Sequence, residues 1–206
     1  MKIQYIYSHL YALEGLKAHK PKIWEEIKST VESIDTKIMK TKKSKEKTMK
    51  GRMLYSPSDI NAAFKKEFGK KKWKENRQTY YVTSDEELTE KIVKLNPDKQ
   101  KETITSDGQE PIYSFHQTDF TKDKVAIELQ LGKYAFIEFD LFVKHLQYYE
   151  LKEIDIAIEI VPTKALLNSM SSGPGYYERT LTHIIRQGRG RPSFPFILMG
   201  IEPESI

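Results

Sequence analysis

TDFTKDKVAIELQ (residues 118–130) decides the fold. Val125, Ile127, Leu129 and, one step beyond, Leu131 alternate with Ala126, Glu128 and Gln130, the period-two pattern of a β-strand. TKDK (121–124) has the composition of a tight connection, so SFHQTDF (114–120) is expected to fold back on that strand as a hairpin. With Lys122 and Asp123 as the turn, Asp119 lies opposite Ala126 and shares a face with Glu128 and Gln130. Two carboxylates about 5 Å apart repel by roughly 3 kcal/mol at an effective dielectric near 20, so a cation, a shared proton or water must accompany them. A hard divalent ion such as Mg²⁺, held by one or two carboxylates and a substrate phosphate, suits such a sparse oxygen set. Alternation alone favours a half-exposed strand with Glu128 and Gln130 in solvent, and Asp155 and Glu159 on a later strand are read that way.

That later strand is IDIAIEIV (154–161), and PFILMGI (195–201) is a continuous apolar run suited to a strand buried on both faces. FIEFDLFVKHLQYYEL (136–151) is long enough for a helix crossing between strands, which implies a partly parallel sheet and an α/β architecture. Its apolar residues Phe139, Phe142, Val143 and Leu146 suit either the core or a subunit interface.

Upstream, the period is helical. Ile23, Ile27 and Val31 recur at four-residue spacing behind Pro21, which is tolerated at a helix start because its missing N–H would have no partner there. SPSDINAAFKKEF predicts a helix near 57–68, and Ser84 with Glu87 forms a capping box before a helix at 85–95. The expectation is one domain over 1–206, mainly helical to about residue 110, with the catalytic sheet from about 111.

Composition narrows the function classes. The 206 residues carry 34 Lys and Arg against 29 Asp and Glu, a net +5 with pI near 9.0, which suits a polyanionic partner. The basic residues concentrate in KTKKSKEKTMKGR (40–52) and KKEFGKKKWKENR (65–77), runs that also serve as solvated surface. The absence of cysteine excludes disulfides, Cys-ligated zinc and thiol nucleophiles, and fits a reducing compartment. Neither a signal-peptide apolar run nor a membrane span is present, so a cytoplasmic protein is expected. None of the five histidines shows metal-ligand spacing, and no GxSxG, Walker A or GxGxxG motif occurs. RQGRGR (186–191) sets Arg186, Arg189 and Arg191 on a flexible backbone, either a basic loop or a grip on phosphates and base edges.

Asp119 followed by Glu128-x-Gln130 resembles the PD-(D/E)xK nuclease core. YSHL (7–10), SKEKT (44–48), LYSP (54–57), YYVT (80–83), QTDF (117–120), VAIELQLGKYAF (125–136), DLFVKH (140–145), MSSG (170–173), YYE (176–178) and IRQGRG (185–190) extend the likeness along the chain. Together they resemble Type II restriction endonucleases of the BglII and BamHI kind. The resemblance implies an α/β fold with a PD-(D/E)xK restriction-endonuclease-like core, a central mixed β-sheet flanked by helices. It also implies a homodimer that uses Mg²⁺ to cut palindromic double-stranded DNA at 5′-R/GATCY-3′, leaving 5′-phosphates and GATC overhangs. By that resemblance Asp119 and Glu128 bind the metal, and Gln130 stands where most of the superfamily has lysine. Glu75 or Asn76 becomes a further active-site residue from a helix before the hairpin, and Lys133, Ser171 and Ser172 face the major groove, with Arg186 and Arg189 on inner bases or phosphate. A structure-selective repair nuclease on the same core and a non-catalytic basic DNA-binding protein are the alternatives.

Overall fold

The computed structural model describes every residue except 46, 48, 49, 133–135, 172, 174, 205 and 206. The chain forms two compact units, one of residues 1–74 with 119–206 and one of residues 75–118.

The first unit opens with a strand, β1 (Lys2–His9), followed by helices α1 (Ala12–His19) and α2 (Pro21–Ser33), a short hairpin of β2 (Lys42–Lys43) and β3 (Met53–Leu54), and α3 (Pro57–Lys70). Pro21 opens α2 as expected, and Ser56 caps α3 by accepting from the Asp59 N–H ahead of Pro57 in the first turn. The second unit holds β4 (Lys74–Val82) apart from its first residue, α4 (Glu86–Ile92), α5 (Pro97–Ser106) and most of β5 (Ile112–Lys122). Asp85, not Ser84, caps α4, its carboxylate accepting from Leu88 N–H at 2.8 Å. The second unit's core is small: Leu88, Ile92 and Ile104 with Tyr81 packed on them.

β5 runs on into the first unit and turns into β6 (Val125–Leu129). A crossover of α6 (Ile137–Phe139), a π-helical segment (Asp140–Lys144) and α7 (His145–Glu150) leads to β7 (Ile156–Pro162), and α8 (Lys164–Leu167) and α9 (Tyr177–Gln187) lead to β8 (Phe196–Glu202). The strand order is β1-β8-β7-β6-β5, continued in the second unit by β4 beside β5. β6, β7 and β8 are parallel, while β1 is antiparallel to β8 and β5 to β6, so the sheet is mixed and flanked by helices as expected. β1 and β4 are strands inside the stretch expected to be mainly helical.

Period-two alternation sorts the central strands between two cores. Val125, Ile127, Leu129, Ile156, Ile158, Ile160, Ile197 and Met199 pack on one side with residues of α1, α2 and α3. Ala126, Ala157, Val161, Phe196 and Leu198 pack on the other with Leu141, Tyr148, Tyr177 and Ile184. Each fully buried isoleucine is worth about 1.5–3 kcal/mol relative to exposure, an upper figure for a compact unfolded chain. On the second face the helix comes close at Gly200, where an added Cβ would meet the Tyr177 ring at 2.9 Å.

The hairpin register differs from expectation. The turn is Asp123–Lys124, with φ of 48° and 60°, the left-handed pair that two-residue hairpins require to match strand twist. Phe120 pairs with Ile127 and Thr121 with Ala126, so counting on sets Asp119 across from Glu128 instead of Ala126. The slip is two residues, which preserves the face, so Asp119, Glu128 and Gln130 stay on one side. Lys20 staples the turn, its Nζ donating to Asp123 O at 2.6 Å and to Asp155 Oδ2 at 2.8 Å, while Asp155 N–H donates to Lys124 O at 2.7 Å.

Candidate active site

Even-numbered β6 residues and odd-numbered β7 residues face the crossover helix, so Glu128 and its register neighbour Glu159 point at residues 137–150. Both faces of these strands are covered. Glu128 is therefore 4% exposed and Glu159 fully buried, and the half-exposed reading of both is corrected: parallel strands under helices have no wet face. Asp155 remains exposed.

Asp119 is half-buried near the end of β5, and its Oδ2 accepts from Leu129 N–H at 3.0 Å, fixing the carboxylate against β6. Gln130 N–H donates to Ile160 O at 2.9 Å, so its backbone extends the parallel ladder and its side chain is held in register with Glu128. The amide Nε2 of Gln130 donates to Asp140 Oδ2.

From the crossover helix comes a cation that sequence reasoning missed. Lys144 Nζ lies 2.6 Å from Glu128 Oε1 and 2.7 Å from Asp140 Oδ1, with all three side chains nearly sequestered from water. The π-helical turn makes this possible, since its wider spiral brings Asp140, Lys144 and His145 inward together while Val143 stays exposed. Behind them His145 Nε2 and Glu159 Oε1 share a hydrogen bond of 3.0 Å at zero exposure, and neither His145 Nδ1 nor Glu159 Oε2 has a partner among the described residues.

Burial dominates the ionisation of this cluster. It raises the Glu128 carboxyl well above the usual range; Lys144 opposes that, and Asp119 and Asp140 add to it. Burial raises Asp140 and Glu159 as well, and with the Lys144 charge it pushes His145 well below its ordinary value, so His145 is neutral. Burial also works against the Lys144 ammonium, but Glu128 and Asp140 together outweigh it and hold the amine above the ordinary lysine range.

Asp119, Glu128 and Gln130 are thus brought together with Asp140 and Lys144 in the first unit. Glu75 is not on a helix: it stands exposed near the start of β4, in the second unit. Ser171 is exposed and its N–H donates to Tyr55 O at 3.0 Å, while Tyr55 N–H donates to Ser169 O at 2.8 Å and Arg52 Nη2 to Ser169 Oγ at 3.2 Å. The basic hairpin of β2 and β3 is therefore tied through its exit to the segment that carries Ser171. Arg186 is exposed at the end of α9, and Arg189 is exposed between Gly188 and Gly190, both at positive φ. Lys133 and Ser172 lie outside the described residues.

Among the described residues no three His, Cys, Asp or Glu side chains stand where they could together hold a metal ion. The donor set still fits a sparsely held hard ion. Asp119 and Glu128 face one another across a hairpin, and the surrounding carboxylates outnumber the single ammonium.

The mixed sheet with helices on both faces is the frame that carries this acid cluster, and the family match that follows makes the chain a Type II restriction endonuclease, a site-specific deoxyribonuclease. The family model for restriction endonuclease BglII/BglIII matches residues 5–201, and the chain belongs to that family. Among solved structures it is similar to BglII complexed with a DNA 16-mer, at 20% identity and TM-score 0.65, covering 100% of this chain and 81% of that one. It is also similar to free BglII, at 19% identity and TM-score 0.59, covering 100% and 82%. A search of curated proteins finds no match. Among the described residues no helix is long and apolar enough to cross a membrane.

Proposed function

We propose that the chain is a Mg²⁺-dependent Type II restriction endonuclease that acts as a homodimer on palindromic double-stranded DNA. The motif set resembles that of BstYI, and the site proposed is accordingly 5′-R/GATCY-3′, cut after the purine to leave 5′-phosphates and GATC overhangs. The observation that carries this reading is the juxtaposition of Asp119 and Glu128 on the β5–β6 hairpin of a chain in the BglII family.

Asp119 and Glu128 would hold the ion. Bound there, a divalent ion supplies charge neutralisation at the scissile phosphate and lowers the pKa of the attacking water. Leu129 N–H fixes Asp119, and Gln130, a neutral amide anchored to Asp140, orients water without acting as a strong base. Lys133, Ser171 and Ser172 are proposed to read the outer base pair. Lysine donates to the N7 acceptor common to both purines, and a serine hydroxyl donates or accepts, which tolerates either one. Arg186 and Arg189 are exposed and suited to phosphate or inner bases. Glu75 stays a proposed active-site residue on the family resemblance alone.

A palindrome read by two identical subunits calls for a two-fold dimer. The crossover helix offers a face for it: Phe136, Phe139 and Val143 are exposed, whereas Phe142 and Leu146 turn half-buried toward the core.

The test is a plasmid digest with sequenced ends in Mg²⁺ and in EDTA. Discrete bands with GATC overhangs in Mg²⁺ alone are expected; a smear or a preference for branched substrates favours a repair nuclease. Asp119→Asn is expected to abolish cleavage while DNA binding stays measurable by gel shift, and retained cutting would remove Asp119 from the metal site.

A further inference from the structure

We infer that Lys144 is the built-in counter-cation of the acidic site, and that a divalent ion gains Glu128 by displacing the Lys144 ammonium from it. This rests on the metal reading of Asp119 and Glu128 proposed above.

Three observations carry it. Lys144 Nζ occupies the Glu128 oxygen it touches at 2.6 Å, an atom the ion would need. The lysine side chain is only 7% exposed, so water does not solvate it, and its charge is tolerated there because Glu128 and Asp140 flank it. Glu128 and Asp140 are buried to the same degree; without a cation between them they would repel each other in a poorly screened environment. The chain thus carries its own compensation for the condition in which no metal is bound.

A dication and an ammonium on one carboxylate oxygen repel each other at contact distance, so the ion gains Glu128 Oε1 only when the ammonium leaves it. The exit is short. Lys144 also holds Asp140 Oδ1 at 2.7 Å one helical turn away, and releasing Glu128 leaves that ion pair intact. Asp140 in turn engages Gln130 through its other oxygen. Gain of the ion at Glu128 and the setting of the Gln130 amide are therefore linked through Asp140, which makes Lys144 and Asp140 positioning residues.

The test is Mn²⁺ titration of the full chain without DNA, read by electron paramagnetic resonance, with melting temperatures in EDTA and in Mn²⁺. Lys144→Met keeps the length of the side chain and removes its charge. It is expected to bind Mn²⁺ at least about tenfold more tightly than the parent, to melt lower in EDTA, and to gain more from Mn²⁺ than the parent does. Should that chain not fold, Lys144→Met combined with Asp140→Asn removes one cation and one anion together and is expected to show the same tightening. Mn²⁺ uptake by parent and variant with equal affinity, or weaker uptake by the variant, overturns the exchange and leaves Lys144 a fixed structural partner. Absence of Mn²⁺ uptake from both overturns the metal reading itself, as does undiminished uptake by Asp119→Asn.

Discussion

Gln130 shows how one residue depends on its surroundings. The strand position two residues beyond Glu128 carries a neutral amide, and the cation beside Glu128 comes from the helix as Lys144. A lysine at 130 would bring a second ammonium to Asp140, whose two oxygens already engage Lys144 and Gln130, and would remove the amide bond. Gln130→Lys is expected to lower single-turnover cleavage at least about tenfold, and adding Lys144→Gln, which leaves one cation on the strand, to recover part of it. His145 offers a stability test with a defined sign. It is buried and neutral, with its folded pKa well below 6.5, whereas the unfolded chain takes up a proton as pH falls through that value. Its contribution is therefore present above pH 6.5 and lost on acidification. The raised carboxyls of Glu128 and Glu159 act in the opposite sense, so the comparison must be with a variant. From pH 7 to 5.5 the parent should lose about 1 kcal/mol relative to His145→Gln, measured by urea unfolding at both values.

At the scale of elements, the β5–β6 hairpin was legible because its alternation is strong, yet its register was not, because sequence does not say which two of Thr121–Lys124 take positive φ. Asp123 and Lys124 do, and the lysine carries a Cβ in a region that favours glycine. Lys124→Gly is expected to stabilise the chain by about 0.5–1 kcal/mol, seen as a higher urea midpoint, since the bond from Asp155 uses only the Lys124 carbonyl. Glu159 was misread for a related reason: IDIAIEIV alternates as a half-wet strand does, but the crossover helix covers its second face. β4, with the polar sequence KENRQTYYV, and α5, which buries only Gln100 and Ile104, offer too few apolar positions for periodicity to detect. The inward turn of Lys144 and His145 was out of reach, because it needs the π-helical segment and no spacing rule anticipates one.

For the whole molecule, the sheet core and the acids at 119 and 128 followed from the sequence, whereas the division into two units did not, because the break at residues 75 and 118 falls within strands and not at a linker. The second unit rests on three buried aliphatic side chains, far fewer than the first. Ile104→Ala should cost about 2–5 kcal/mol locally. Amide exchange across 83–106 is expected to accelerate, while the amides of β6 and β7 stay protected. The sheet order has a consequence of a different kind. β8 lies between β7 and β1, yet it emerges from the ribosome after the other strands of the described residues. A product broken off before Phe196 would contain Asp119, Glu128, Gln130 and Lys144, but β1 would have no partner and β7 would be left an open edge. A cell making a DNA-cutting enzyme gains from that order: an interrupted translation product has the acid cluster and no rigid mount on which to use it.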